Sequence, residues 1–377
     1  MTNIRARAVW SLKAEWPLCL NAATVAVLVS AGHRLLADLS HPARFSLVLT
    51  WLVLTVLFSA FAVVRHAERL ARTLREPLGT LVLTLAVTGI EVMIIVATMS
   101  TSTSSATLAR DTMFAVIMIV LNGLVGASLL IGGLRYHEQD YNLQGASAFL
   151  AVILPLAVVG LVLPSFTGST PDQAFSPLQA GVWVFVSVAL YAVFLAIQNV
   201  RHRAYFQSAG TDNDLASDVA PTAEVRSSAV AYHAVLLLVY MGLLIVVTKH
   251  IAVPIEFTIR VFEAPVALAG FLVAALVLSP EAFTAVRAAF ANDLQRSVNI
   301  LLGSALATIG LTIPAVLMFG LVTNRSIVLG LEPVDMAMLA LTLLQSTMTF
   351  SSSRTNVLLG AVHLLLFSVY LLLMFQR

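Results

Sequence analysis

The chain has 377 residues, of which 59% are hydrophobic and 11% are charged, and its mean hydropathy is +0.94. This composition excludes a soluble globular protein, and a net charge of +2 gives no case for nucleic-acid binding. The single cysteine, Cys19, excludes a disulfide framework and a cysteine-based metal cluster.

About eleven apolar stretches reach the length of roughly 20 residues that a helix needs to cross a bilayer. Helices satisfy their own backbone polar groups in lipid, so the chain is predicted to be an all-α polytopic membrane protein. The predicted helices are 17–36, 45–64, 77–99, 113–134, 148–166, 181–200, 230–253, 262–290, 298–321, 334–350 and 356–375.

The placement of Lys and Arg predicts the orientation of these helices. If the N-terminus is cytoplasmic, fourteen of the 21 basic residues fall on the cytoplasmic side, including Arg5, Arg7, Lys13 and the four arginines between Arg65 and Arg75. The sequence therefore predicts a multi-pass protein with a cytoplasmic N-terminus.

The longest polar stretch, 201–229, divides the chain into two halves. It contains Asp212, Asp214 and Asp218, and it is either a flexible connector or an acidic cation sensor, although it lacks the glycine and terminal glutamate of an EF-hand loop. The predicted organisation is an N-terminal segment with an extra first helix (1–44), a first five-helix repeat (45–200), an acidic cytoplasmic linker (201–229) and a second five-helix repeat (230–377).

A motif that recurs in both halves supports this division. Asn122-Gly-Leu-Val-Gly126 recurs as Asn299-Ile-Leu-Leu-Gly303, and in each half the helix that carries it follows a helix with one glutamate, Glu91 or Glu281. Corresponding helices lie five apart, an odd number, so the repeats are predicted to run in opposite directions. Inverted repeats are a common transporter architecture, with the site at the midplane where the repeats meet.

The two glutamates are the leading candidates for chemistry. A carboxylate at membrane depth is costly unless it is protonated, paired or bound to a cation. In the third helix, Thr80, Thr84 and Thr88 share one face with Glu91, and Thr88 is the preferred ligand because it lies one turn away. The alternative for the other two threonines is a hydrogen bond to their own helix.

In the eighth helix, Pro280 directly precedes Glu281, and proline removes the hydrogen bond to the carbonyl of Leu276. We therefore expect a break in the helix beside the carboxylate, with the Ser279 hydroxyl close to it.

Amide and hydroxyl oxygens of Asn122, Asn299 and Ser304 could complete a shell of hard oxygen donors. Such donors suit Ca²⁺ or Na⁺, whereas softer metals prefer sulfur and imidazole. The alternative for both asparagines is interhelical hydrogen bonding. The predicted cation ligands are thus Glu91, Glu281, Asn122, Asn299, Thr88, Ser279 and Ser304.

Two such carboxyl groups hold protons in the absence of a cation, because desolvation and mutual repulsion favour their neutral form. A divalent cation would displace those protons, and obligatory exchange follows if only the loaded forms reorient. A cation channel and an intramembrane hydrolase are more distant alternatives. A hydrolase would need a nucleophile or a metal cluster that the sequence does not offer, so no enzyme activity and no cofactor are expected.

The segments Arg75–Val92, Ala109–Gly123, Ser279–Glu281 and Asn299–Pro314 together resemble those of the bacterial calcium/proton and sodium (potassium)/proton antiporters of the cation/Ca²⁺ exchanger superfamily. The resemblance covers nearly the whole chain. It implies repeats centred on Glu91 and Glu281, ten core helices, and exchange of Ca²⁺, or of Na⁺ or K⁺, for protons in the bacterial inner membrane. One departure is Leu278, which replaces an oxygen donor and leaves the ion preference open between Ca²⁺ and the monovalent cations.

Overall fold

The computed structural model describes residues 15–74, 78–101, 107–167, 173–207 and 223–376. The N-terminal basic residues and the three aspartates of the acidic linker lie outside these ranges. The side chains of 101 and 223–228 are likewise not described, although both segments are helical.

Eleven helices account for most of the described residues. They are α1 (Trp16–Leu36), α2 (Pro42–Leu74), α3 (Leu78–Thr101), α4 (Leu108–Tyr136), α5 (Leu143–Ser165), α6 (Pro177–Arg201), α7 (Ala223–Val261), α8 (Ala267–Phe290), α9 (Leu294–Thr323), α10 (Pro333–Thr349) and α11 (Val357–Phe375). Two short strands, β1 (Gln139–Asp140) and β2 (Arg354–Thr355), pair antiparallel. The structure confirms the predicted all-helical fold with eleven helices.

Ten of these helices are long and apolar enough to cross a membrane, and α10 falls just short with 17 residues. Several are longer than the apolar stretches that predict them. Helix α2 continues to Leu74 through a basic segment of Ala, Glu, Leu and Arg, which are good helix formers. Helix α7 begins at Ala223, inside the predicted linker 201–229, and the start of that linker, Arg203–Phe206, is a turn of 3₁₀-helix.

Polar residues at the helix starts explain several boundaries, because each accepts a hydrogen bond from an otherwise unpaired backbone amide. Asn142 caps α5, Asp293 caps α9 and Asn356 caps α11. Helix α6 begins with a capping box in which Ser176 and Gln179 bond to each other's backbone.

The described helices fall into two compact units. The first lies within Met1–Thr103 and Pro221–Ala264 and contains α1, α2, α3 and α7; the second contains the other seven helices. In the second unit α4 forms the core, since all residues of Leu108–Ile117 are buried. A π-helical segment, Met118–Leu124, interrupts α4, and Thr308–Thr312 forms another in α9. π-Helical segments are rare in proteins as a whole, and those that occur are often found at functional sites.

Glycines bring α4 and α11 into close contact. A Cβ atom on Gly360 of α11 would lie 2.5 Å from the Leu130 backbone nitrogen and 2.9 Å from the Gly126 carbonyl oxygen of α4. Gly126 and Gly360 therefore allow the two backbones to approach each other closely.

The related helix α9 packs on α6 in a comparable way. A Cβ on Gly310 would lie 3.0 Å from the ring of Tyr191, and the Ser187 hydroxyl donates to the Gly310 carbonyl over 3.2 Å. Each glycine-bearing helix thus packs against the last helix of the other half of the chain. Two repeats related by a two-fold axis would produce this reciprocal packing between the halves. The exact repeat boundaries stay a prediction.

Candidate functional site

The first candidate carboxylate, Glu91, lies in α3 and is 4% exposed. Thr88, one turn earlier, is 5% exposed, and its hydroxyl has no hydrogen-bond partner among the described residues. Elsewhere in α3 the Thr98 hydroxyl bonds back to the Ile94 carbonyl over 2.8 Å, which is the ordinary arrangement in an apolar helix. The oxygen of Thr88 is therefore available to a ligand.

Gly89 lies between these two residues and faces α7. A Cβ at this position would come within 2.9 Å of the Met241 terminal methyl group. The glycine therefore allows α7 to approach α3 closely beside Thr88 and Glu91.

The second candidate carboxylate, Glu281 of α8, accepts a short hydrogen bond from the Ser304 hydroxyl of α9. Glu281 is half-buried and Ser304 is 8% exposed. The two helices are antiparallel neighbours joined by the tight connection 291–293, in which Asn292 has a φ of 61°. Two of the predicted ligands are thus in direct contact, and together they offer oxygen donors to a cation or a proton.

The structure corrects the predicted break at Pro280, because α8 continues without interruption to Phe290. The proline cannot donate to the Leu276 carbonyl, but the Ser279 hydroxyl donates to that oxygen over 2.6 Å. Ser279 therefore takes the place of the missing backbone amide, and the Leu276 carbonyl is not free beside the carboxylate.

Asn122 lies in the π-helical segment of α4, is fully buried and anchors a polar network within the second unit. Its amide nitrogen donates to the Thr342 hydroxyl of α10 over 2.7 Å, and its amide oxygen lies 3.3 Å from Nδ1 of His363 in α11. The other ring nitrogen of His363 lies 2.9 Å from the Thr349 hydroxyl. Asn122 thus ties three helices together, in the interhelical role that the sequence left open as an alternative.

Thr342, Thr349 and His363 were not among the predicted site residues. The signal in the sequence was the presence of His363 as the one imidazole in the apolar stretch 356–375, but nothing in the spacing identified its partners.

Asn299 occupies a different setting from Asn122, although the two residues match in the repeated motif. Its amide nitrogen donates to the Phe206 carbonyl over 2.6 Å, and its amide oxygen accepts from Gln295 over 2.9 Å. Both ends of the amide are thus occupied by contacts to the segment after α6 and to its own helix.

No group of three or more His, Cys, Asp or Glu within the described ranges could hold a metal ion. The predicted ligands combine carboxylates with hydroxyl and amide oxygens. Such mixed oxygen sets suit hard cations.

Comparison with known proteins assigns the family. Residues 45–200 and 233–376 match the family described as sodium/calcium exchanger protein. The chain is 44% identical over 316 residues to the protein y4hA of Sinorhizobium fredii, covering 84% of this chain and 85% of y4hA. It is 41% identical over 320 residues to the sodium-potassium/proton antiporter ChaA of Escherichia coli K12, covering 85% of this chain and 86% of ChaA.

Among solved structures, the native Ca²⁺/H⁺ antiporter YfkE superposes with a TM-score of 0.71 over 96% of this chain and all of that one, at 16% sequence identity. At this identity the likeness shows the fold. The fold and the sequence match over both halves agree, and the chain belongs to the sodium/calcium exchanger protein family.

Proposed function

We propose that this chain is a secondary active antiporter that exchanges an inorganic cation for protons across the bacterial inner membrane. The observation that carries the proposal is that two helices of membrane-crossing length, α3 and α8, each hold one glutamate beside a hydroxyl oxygen. Family membership and 41% identity to ChaA support the same function.

In the proposed cycle Glu91 and Glu281 bind either protons or the cation. Removal from water favours the protonated carboxyl groups when no cation is bound. A bound cation supplies the opposite charge and displaces the protons, so that the two species compete for the same oxygens. Exchange becomes obligatory if the empty, charged form cannot reorient in the membrane.

A hydroxyl group lies near each carboxylate and would take part in binding the cation or the proton. The buried Thr88 oxygen near Glu91 would contribute to coordination, and the Ser304 hydroxyl would stabilise the charged form of Glu281. Asn122 and Asn299 are proposed to act on the site through helix packing, since their amides are engaged with other helices and segments.

Ca²⁺ is the first candidate for the cation, since its double charge balances the two protons that the two carboxyl groups would release. Na⁺ or K⁺ is the second candidate, and two observations favour it: the identity to ChaA and the shortage of oxygen donors around Glu281. Leu278 offers none, and the Ser279 hydroxyl is engaged by the Leu276 carbonyl. A small number of oxygen ligands counts against Ca²⁺, which takes about 6–8.

The test is proton efflux from proteoliposomes that are acidic inside, after external addition of Ca²⁺, Na⁺ or K⁺ one at a time. Thiocyanate, a membrane-permeant anion, is present on both sides and dissipates the membrane potential in all three experiments, so none of the tested cations is present before its addition. We expect saturable proton efflux with at least one of the cations, and the cation of lowest half-saturating concentration is the substrate. A channel would pass the cation at clamped potential without moving protons, and that result would overturn the proposal.

A further inference from the structure

A second cluster of titratable side chains lies in the first unit, in residues that the proposed exchange does not use. Glu15, directly before α1, is 6% exposed. One of its carboxylate oxygens accepts from Arg65 over 2.8 Å and from the Tyr240 hydroxyl over 3.0 Å, and lies 3.2 Å from Nε2 of His66. These groups belong to α2 and α7, so one carboxylate oxygen joins the start of α1 to two other helices.

The cluster continues from α2 to α7 through two imidazoles. Nδ1 of His66 lies 2.9 Å from Nδ1 of His233, the length of a nitrogen–nitrogen hydrogen bond. His66 is fully buried, whereas His233 is half-buried. A tetrahedral zinc ion between the rings is excluded by this distance, since two nitrogens that bind such an ion at about 2.0–2.1 Å lie farther apart than 2.9 Å.

The proton positions in this chain of groups follow from which atoms can accept. A carboxylate only accepts, so Nε2 of His66 carries a hydrogen and donates to Glu15. With both rings neutral, Nδ1 of His66 is then the acceptor and Nδ1 of His233 is the donor. In this arrangement Nε2 of His233, on the more exposed ring, is the nitrogen of the pair that carries no hydrogen and can accept a proton.

We propose that Glu15, His66 and His233 form a proton-binding site, separate from Glu91 and Glu281, that takes up one proton while every hydrogen bond of the cluster is kept. The proton binds at Nε2 of His233. The hydrogen between the two Nδ1 atoms then moves to His66, and the positive charge comes to lie beside Glu15. No bond other than these N–H bonds forms or breaks.

A second proton cannot bind without the loss of a hydrogen bond. Both Nδ1 atoms would carry hydrogens that face each other at 2.9 Å, so the hydrogen bond between the two rings would break. The other charged groups acting on the rings, Arg65 and Arg69 of α2, are cationic and oppose further positive charge. The flanking Tyr232 and Tyr240 rings of α7 complete the surroundings of His66. The site therefore binds one proton with the hydrogen bond between the rings of α2 and α7 kept, and loses that hydrogen bond on binding two.

The first test uses the full-length protein in lipid nanodiscs with ¹⁵N-labelled histidine and needs no transport. We expect the ring signals of His66 and His233, assigned by their loss in His66→Gln and His233→Gln, to change together in one step as the pH falls. In Glu15→Gln that common step should be lost. The control is His250→Gln. His250 lies on α7, as His233 does, but its Nδ1 lies 2.7 Å from the Val246 carbonyl oxygen of its own helix. This substitution should leave the step unchanged.

Two rings that titrate independently, or a common step that survives in Glu15→Gln, would overturn the proposal. Thermal unfolding of each variant confirms that the fold is retained, and His233→Gln is the safeguard if the fully buried His66 does not tolerate substitution.

A second measurement asks what the site does to transport. With saturating cation and equal pH on both sides, the exchange of labelled for unlabelled cation carries no proton on Glu91 and Glu281. Any remaining pH dependence of its maximal rate therefore belongs to a proton bound elsewhere. We expect a wild-type step no steeper than about tenfold per pH unit, the limit for a single proton. His66→Gln and His233→Gln should lose that step, and His250→Gln should keep it. A step that all three variants retain would overturn the link to transport. Absence of exchange would refute the proposed function and leave the histidine titration standing.

Discussion

The Ser279–Pro280 pair allows a structural hydroxyl to be distinguished from a cation ligand. Pro280 leaves the Leu276 carbonyl without its helical amide, and the Ser279 hydroxyl replaces that donor over 2.6 Å. Ser279→Ala would leave this carbonyl unbonded inside the membrane, at a cost of about 1–3 kcal/mol in the free energy of unfolding. In a Pro280→Ala background the new amide reaches the same carbonyl, so the serine substitution should cost less than about 1 kcal/mol.

The assay is a double-mutant cycle of unfolding by sodium dodecyl sulfate in mixed micelles, followed by tryptophan fluorescence. Ser368→Ala is the matched control, because the Ser368 hydroxyl also donates to a carbonyl of its own helix, that of Leu364, but no proline removes the backbone amide there. The control should change stability by less than about 0.5 kcal/mol. If Ser279→Ala lowers the free energy of unfolding equally with and without Pro280, this structural role of Ser279 is refuted. If Ser279→Ala abolishes transport in both backgrounds, Ser279 acts as a cation ligand.

Two further predictions follow from contacts outside the candidate site. Gly360→Ala should lower the free energy of unfolding by about 1–3 kcal/mol, because the added Cβ would overlap the Leu130 backbone nitrogen. The control Gly242→Ala has open space around it and should be neutral or stabilising. Equal effects of the two substitutions would contradict the close packing of α4 on α11. Burial raises the pKa of Tyr141, whose hydroxyl donates to the Ser352 carbonyl. The folded state therefore favours the neutral phenol, and this contribution is complete below the unfolded pKa of 10.0 and is lost as the pH rises beyond it. Tyr141→Phe should reduce the fall in melting temperature between pH 9 and pH 11, and an unchanged fall would assign it to other groups.

Hydropathy was sufficient to predict the eleven helices, because the length of an apolar stretch is tied directly to the thickness of the bilayer. It was not sufficient for the helix ends. The last turns of α2 and the first turns of α7 are polar, and their extension past the apolar stretch depends on helix propensity and neighbouring contacts that a hydropathy window does not register.

The candidate site was predictable in its carboxylates and less so in its neighbours. Glu281 and Ser304 were both identified from the sequence, and they are in contact. Asn122 and Asn299 have the same motif but different partners, because those partners come from segments that are distant in the sequence. They are α10 and α11 for Asn122 and the 3₁₀ turn after α6 for Asn299.

The buried cluster around Glu15 was missed for a related reason. Glu15 lies in the polar flank of the first helix, where a glutamate ordinarily faces water. Its burial follows from the approach of α2 and α7, whose residues are about fifty and more than two hundred positions away.

The central claim is that Glu91 and Glu281 both carry the exchange of cation for protons. The most direct measurement is cation-driven proton efflux from vesicles containing Glu91→Gln, Glu281→Gln or, as control, Glu256→Gln, which changes an exposed glutamate of α7. We predict that both site variants fold normally and show only the proton leak of protein-free vesicles, while the control exchanges at the wild-type rate. Coupled exchange that persists in either site variant would contradict the account.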